Sequence, residues 1–130
     1  MIQREEYLNN LISLKEKQVI KVVTGVRRCG KSTLFELYID YLKQNGVQDN
    51  QIISVNLEAL ENAELLDYKA LYNYITSRII SDKTNYIFID EVQKCSGFEK
   101  VVDSLFIKKN CDVYITGSNA YLLSGELATF

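Results

Sequence analysis

A segment near the start of the chain reads Gly25-Val26-Arg27-Arg28-Cys29-Gly30-Lys31-Ser32. It matches the pattern G-x-x-x-x-G-K-[ST] at every fixed position. A β-branched run at residues 19–24 precedes it, and a helical stripe of apolar residues follows it. A strand, a glycine-bearing loop and a helix in this order are typical of a phosphate-binding loop. The alternative, a glycine turn with a solvated lysine, explains neither the full pattern nor its context.

The residue types of this loop suit a polyanion. Glycine lets the backbone curl until successive N–H groups point at one anion, and the following helix adds the positive end of its dipole. Lys31 is expected to reach the β- and γ-phosphates, Ser32 to offer its hydroxyl to Mg²⁺, and Thr33 to contact the α-phosphate. The expected triphosphate-binding residues are Gly25, Val26, Arg27, Arg28, Cys29, Gly30, Lys31, Ser32 and Thr33.

Three residues inside this loop allow more than one interpretation. Arg27 or Arg28 would neutralise triphosphate charge or meet a neighbouring subunit, or both would be exposed and solvated. Cys29 stands at a helix start, where the pKa of a thiol is lowered, but incidental filling by a small residue is the favoured interpretation.

Strand and helix patterns alternate along the rest of the chain. Apolar strands separated by helices indicate a parallel sheet covered on both faces, which is an α/β fold. Ligands of such sheets bind at the carboxyl ends of the strands. Ser96 and Glu99 form a predicted capping box at the start of one helix. Strands are predicted at residues 19–24, 52–56, 86–89 and 113–116, and helices at residues 7–14, 34–42, 68–79, 96–106 and 121–127.

An acidic pair, Asp90-Glu91, directly follows the apolar strand at residues 86–89. Phosphoryl transfer needs a metal ion held in place and an attacking water oriented, so Asp90 is the expected Mg²⁺ partner and Glu91 the expected general base. An Asp-Glu pair by itself is usually an exposed pair on the protein surface without a catalytic role. Downstream of a complete phosphate loop the pair indicates catalysis. Lys31 and a residue that follows the fourth strand are the other expected catalytic residues.

The acid directly after Asp90 also separates reaction classes. GTP-hydrolysing proteins carry D-x-x-G at this point and N-K-x-D for guanine, and neither pattern occurs in the chain. ATP is therefore the expected nucleotide. Two alternatives stay open: a nucleotide-switched binding module without turnover, and a small kinase. A kinase needs a lid segment with arginines, and the sequence after Asp90 contains no arginine.

Three segments together resemble a known family: residues 25–33, Asp90-Glu91-Val92-Gln93, and Thr-Gly-Ser-Asn-Ala-Tyr-Leu-Leu-Ser at residues 116–124. They are similar to the AAA-type ATPase domain of a widespread prokaryotic group of predicted ATPases. The resemblance extends from Arg4 to Thr129. It implies a three-layer P-loop NTPase fold with strand order 5-1-4-3-2, ATP and Mg²⁺ as ligands, and a homo-oligomer as one arrangement found in this class.

In that order the fourth strand lies between the phosphate-loop strand and the acidic strand. A polar side chain at its end can then touch both the γ-phosphate and the attacking water. Asn119 is the first candidate for this sensor and Ser118 the second, while the alternative is that Asn119 only caps the next helix. Asn56, at the end of the second strand, would either hold Glu91 inactive or serve as a buried structural amide, and the second interpretation is favoured.

The family's pattern continues beyond Phe130. Residues 1–130 are therefore expected to be the N-terminal part of an AAA-type ATPase domain of a longer protein, with the fifth strand missing and the phosphate-loop strand on an open edge. Without the arginine that follows in the family, weak or no turnover is expected of residues 1–130 alone.

The amino-acid composition bears on the class of protein but does not identify the molecule on which it acts. The net charge is −2, with 15 basic and 17 acidic residues, which gives no electrostatic footprint for nucleic acid or an anionic membrane. Three cysteines without a CxxC pair, and no histidine, leave no ligand set for zinc and suit a reducing compartment. No segment approaches the roughly 18 apolar residues of a membrane span. We expect a cytoplasmic protein whose protein or nucleic-acid substrate the sequence does not identify.

Overall fold

The computed structural model describes residues 2–24, 31–118 and 128–129. Helices and strands alternate along these ranges. Short 3-10 segments, at Asp49–Gln51, Leu60–Leu66 and Val92–Lys94, connect some of them. The main elements are α1 (Ile2–Ser13), β1 (Lys21–Val23), α2 (Lys31–Gln44), β2 (Ile52–Asn56), α3 (Tyr68–Thr76), β3 (Asn85–Asp90), α4 (Phe98–Ile107), β4 (Cys111–Thr116) and β5 (Ala128–Thr129).

The strands form one parallel sheet in the order β2-β3-β4-β1-β5. This confirms the predicted α/β class and the predicted strand order, read from the opposite edge. The expectation that the fifth strand is missing is wrong. Ala128 and Thr129 pair in parallel with Lys21 and Val22, so β1 has a neighbour on each side. The open edge expected at the phosphate-loop strand is therefore occupied over these two residues.

The sheet is covered on both faces because its strands alternate between two apolar cores. In β3, Ile87 and Ile89 belong to the core that includes residues of α3 and α4. Tyr86 and Phe88 belong to the core that includes residues of α1 and α2. A side chain of this size contributes about 1.5–3 kcal/mol when it is fully buried. The result is a three-layer arrangement that holds the carboxyl ends of β1, β3 and β4 along one edge.

One predicted helix start is wrong. Gly97, not Ser96, is the N-cap of α4, so the helix start has no side-chain cap hydrogen bond from its N-cap residue. Gly97 has a left-handed backbone with φ 83°, and a Cβ at this position would lie 3.0 Å from the Tyr68 ring. The close approach of α3 therefore selects glycine here. The predicted helix at residues 121–127 lies outside the described residues.

A buried polar network fixes the amino ends of β1 and β4. The Lys21 ammonium is fully buried and pairs with the Asp112 carboxylate. The other Asp112 oxygen accepts hydrogen bonds from the Tyr114 hydroxyl at 2.7 Å and the Glu16 backbone N–H at 2.8 Å. Lys21 also donates to the carbonyl of Lys17 at 2.8 Å. Burial raises the pKa of Tyr114 far above its usual value, so its hydroxyl remains a neutral donor to Asp112.

Replacing Lys21 with Met should lower the free energy of unfolding by about 3–5 kcal/mol, because it leaves the Asp112 carboxylate buried without its cation. Urea unfolding followed by circular dichroism measures the change. The matched control is Lys43→Met, which breaks an exposed pair with Asp49 and should cost about 0–1 kcal/mol. Equal losses in the two variants would contradict the assigned role of the buried pair.

Candidate nucleotide-binding site

Polar residues gather where three neighbouring strands end. Val23 pairs with Thr116, and Ile89 pairs with Ile115, so Asp90 and Thr116 lie side by side at the end of the sheet. The N–H of Gly117 donates to the carbonyl of Val23 at 3.3 Å, which extends the β1–β4 pairing past the strand ends. The sheet register therefore places the predicted acidic pair beside β4, and β4 in turn pairs with β1, the strand that leads into the predicted phosphate loop.

Asp90 is held from both sides. Its carboxylate accepts a hydrogen bond from the hydroxyl of Thr116, and its backbone carbonyl accepts one from the N–H of Leu57 at 3.0 Å. Asp90 is only 7% exposed and Thr116 is fully buried. A carboxylate fixed in this way has a defined direction, which suits a group that anchors a metal ion or its bound water.

Glu91 follows in a left-handed backbone conformation, with φ 58° and ψ 53°. For a residue other than glycine this conformation costs on the order of 1–3 kcal/mol, and such strain concentrates at functional sites. The contacts that hold it include a hydrogen bond from its N–H to the Thr116 hydroxyl at 2.9 Å and one from the side-chain amide of Gln93 to its carboxylate at 2.8 Å. Glu91 is half-buried and begins the turn Val92–Lys94.

The predicted phosphate-binding residues are only partly described. Lys31 is the first residue of α2, and Ser32 and Thr33 follow in its first turn. Seven residues, 24–30, separate the end of β1 from this helix start in the sequence. Thr33 is half-buried. Gly25 to Gly30 and the side chains of Lys31 and Ser32 lie outside the described residues.

The sensor candidates divide in the same way. Ser118 is described and half-buried, and it lies two residues past the end of β4. Asn119, the first candidate, lies outside the described residues. Its assignment stays a prediction, as does that of the loop.

The favoured interpretation of Asn56 is wrong. Asn56 is exposed rather than buried, because the chain turns away after β2. Its side-chain oxygen accepts from the N–H of Glu58 at 2.9 Å, and its carbonyl accepts from the Asn62 side chain at 2.9 Å. Among the hydrogen bonds described for the site, the side chain that reaches the Glu91 carboxylate is Gln93.

Two contributors were not assigned from the sequence, Thr116 and Gln93. Both stand in the motifs quoted above, Thr116 as the last residue of its strand and Gln93 two residues after Glu91. Thr116 could have been found because it is a hydroxyl residue at the end of the strand that is expected beside the acidic pair. Gln93 could have been found because it is an amide residue within one turn of that pair.

Magnesium fits the oxygen donors of this edge. Mg²⁺ is bound through one or two carboxylates together with waters and substrate phosphates, rather than by a cage of protein ligands. In the described part of the chain, no group of three or more His, Cys, Asp or Glu residues is placed to hold a metal ion. A single carboxylate, fixed at Asp90, is compatible with a metal ion that a nucleotide also binds.

The described cysteines do not offer a nucleophile. Cys95 and Cys111 are buried free thiols. Burial raises the pKa of Cys95, and it raises the pKa of Cys111 to about 11. Since the thiolate is the reactive form, both thiols are inert near neutral pH. Cys29 lies outside the described residues.

The strand order, the two covering layers and the polar strand ends define an α/β protein of the P-loop NTPase fold class. A family model described as an AAA domain matches residues 17–130. The chain belongs to this AAA domain family. Membership supports a nucleotide-binding, ATPase-type function in general terms.

Relatives and a solved structure agree with this assignment. An uncharacterized protein of Haemophilus influenzae is 45% identical over 130 residues, which is 99% of this chain and 32% of that protein. An uncharacterized protein of Methanocaldococcus jannaschii is 32% identical over 116 residues, covering 85% of this chain and 23% of that protein. The structure of C. elegans PCH-2 superposes with a TM-score of 0.59 at 15% identity, over 95% of this chain and 40% of that one, and shows likeness of fold.

The chain therefore spans about a third or less of the curated relatives it matches. Within residues 2–24 and 31–118, no helix has the length and the apolar character that crossing a bilayer requires.

Replacing Thr116 with Val should lower the free energy of unfolding by about 1–3 kcal/mol, because it leaves the Asp90 carboxylate and the Glu91 N–H without a shared partner. Thr76→Val in α3 is the control, since it removes a hydroxyl that bonds only within its own helix. Urea unfolding of both variants measures the difference. A Thr116→Val protein as stable as Thr76→Val would contradict the bridging role.

Thiol labelling at pH 8 should leave Cys95 and Cys111 unmodified in the folded protein. The raised pKa of each thiol keeps it protonated, and the thiolate of Cys111 gains population only as the pH approaches about 11. Maleimide labelling followed by peptide mass spectrometry makes the measurement, with labelling in urea as the positive control. Rapid modification of either residue without urea would contradict the burial described here.

Proposed function

We propose that the chain binds ATP with Mg²⁺ along residues 25–33 and that Asp90 and Glu91 direct its hydrolysis. The observation that supports this most strongly is the acidic pair at the end of β3, with both members hydrogen-bonded to Thr116 on the adjacent strand. That strand also pairs with β1, which leads into the sequence pattern of a phosphate loop. AAA family membership supports the same class of function.

Each residue has one role in the proposed reaction. Lys31 and the N–H groups of the loop bind the β- and γ-phosphates, and Ser32 and Asp90 hold the metal ion. When bound, Mg²⁺ supplies charge that offsets the phosphate oxygens. Glu91 takes a proton from the attacking water while the oxygen of that water forms a bond to the γ-phosphorus. The bond from that phosphorus to the bridging oxygen of ADP breaks at the same time. Asn119 is proposed as the sensor of the γ-phosphate.

ATP hydrolysis is proposed to act on a part of the protein outside the ATP site. We propose that residues 1–130 are the N-terminal part of an ATPase domain, and that hydrolysis is coupled to a conformational change in a longer cytoplasmic protein. The greater length of both curated relatives supports this. Assembly into a homo-oligomer belongs to the same proposal, since the AAA family includes proteins that share sites between subunits.

Replacing Glu91 with Gln should lower ATP turnover by about 100- to 10,000-fold, because the general base is lost, while ATP binding is retained. Replacing Lys31 with Ala should weaken ATP binding itself. Phosphate release measures turnover, and calorimetry with a non-hydrolysable ATP analogue and Mg²⁺ measures binding. Glu99→Gln, an exposed acid in the first turn of α4, and Lys43→Ala, in the last turn of α2, are the matched controls.

Three outcomes separate the functions. Unchanged turnover in Glu91→Gln would contradict the assigned base. Nucleotide binding without turnover in a wild-type longer protein that contains this domain would favour a nucleotide-switched binding module. Phosphate appearing on an added acceptor, rather than in water, would favour a kinase. The 130-residue chain is expected to turn over more slowly than a longer protein that contains it.

A further inference from the structure

We propose that Gln93 is the residue that positions the Glu91 carboxylate for reaction, an inference that rests on the function proposed above. The side-chain amide of Gln93 donates to the Glu91 carboxylate at 2.8 Å. The backbone of Glu91 is fixed by Thr116, but a glutamate side chain has three further rotatable bonds. Gln93 removes that freedom at the end which carries the charge.

The turn that carries Gln93 is itself held in place. Val92 and Cys95, on either side of the amide, are fully buried. Backbone hydrogen bonds from Lys94 to Glu91 at 3.0 Å and from Cys95 to Val92 at 3.1 Å close the turn. The amide is therefore presented to Glu91 by a packed segment, so its contact with the carboxylate requires little additional ordering.

The chemistry of the amide fixes which of its atoms faces the carboxylate. The nitrogen donates and the oxygen only accepts, so turning the amide over would place its oxygen against the Glu91 carboxylate and lose the hydrogen bond. In the present orientation the amide oxygen of Gln93 is buried and has no hydrogen-bond partner within the described ranges. An acceptor left in this state costs about 1–3 kcal/mol.

That cost indicates a role beyond packing. A buried amide selected only for stability would have both of its polar atoms satisfied. Here the donor is committed to Glu91, and among residues 2–24, 31–118 and 128–129 no group meets the acceptor. Gln93 thus directs its donor at the Glu91 carboxylate and orients it.

The experiment compares two substitutions of nearly equal shape. Gln93→Glu keeps the size but replaces the donor with a carboxylate that repels Glu91, and Gln93→Met keeps the length but removes all hydrogen bonding. In a longer protein that contains this domain, steady-state ATP hydrolysis should show a fall of tenfold or more in kcat for both variants. The KM for ATP and the Kd of a non-hydrolysable analogue should stay within threefold. Gln44→Glu and Gln44→Met, at the exposed end of α2, are the matched controls.

A double variant tests whether the effect passes through Glu91. If it does, Glu91→Gln with Gln93→Met should turn over ATP no more slowly than Glu91→Gln alone, because coupled residues are not additive. A further fall of tenfold in the double variant would overturn the proposal, and so would a Gln93→Glu protein with a kcat within twofold of the wild type. Turnover in the wild type that does not depend on Glu91 would instead refute the proposed function, and this inference with it.

A second measurement is independent of activity. The side-chain amide protons of Gln93 should exchange slowly with solvent in the ¹H–¹⁵N spectrum of the wild type, and one of them should lie downfield because it is bonded to a carboxylate. Glu91→Ala should abolish both properties. An amide pair that exchanges freely in the wild type, or is unchanged in Glu91→Ala, would overturn the contact itself.

Discussion

The hydroxyl of Thr116 joins the two strands that form the polar edge of the sheet. It donates its proton to the Asp90 carboxylate and accepts the N–H of Glu91, so one buried atom serves both acidic residues. A hydroxyl can do this because it is a donor and an acceptor at once. Since β4 also pairs with β1, the position of Thr116 ties the acidic pair to the strand that enters the phosphate loop. Every role proposed for this edge depends on that register.

The opposite end of the same strands is fixed by charge. Lys21 of β1 and Asp112 of β4 form a buried pair. The Tyr114 hydroxyl and the backbone N–H of Glu16 also donate hydrogen bonds to the Asp112 carboxylate. A shift of the β1–β4 register by one residue would turn one of the two charges to the other face of the sheet and leave both unpaired. The buried pair therefore specifies alignment at the amino ends, and that alignment sets where Thr116 stands at the carboxyl ends.

Sequence patterns were sufficient for the class of fold and for the position of Asp90 at the end of a strand, and the resemblance to a family supplied the strand order. Residues 52–56 were predicted as a strand with the observed bounds, because a short apolar run between turn residues has few alternatives. Two details that the local sequence does not decide were predicted wrongly. Gly97 caps α4 because the Tyr68 ring lies against it, although Ser96 and Glu99 match a capping box. Two residues of a fifth strand were missed because so short a segment carries no period of its own.

The contact between Gln93 and Glu91 was not predicted either, although the two residues are close in sequence, because a left-handed backbone such as that of Glu91 is uncommon for a residue other than glycine. The choice of an amide there has a physical consequence. A lysine or arginine would also direct the carboxylate, but it would offset the negative charge with which a proton acceptor attracts a water. Gln93 orients the group without adding charge. Asp90, by contrast, is almost fully buried and fixed at both its carboxylate and its carbonyl, as an anchor for a metal ion requires. Two adjacent acids thus acquire different surroundings, and the difference follows from which neighbour, hydroxyl or amide, each carboxylate meets.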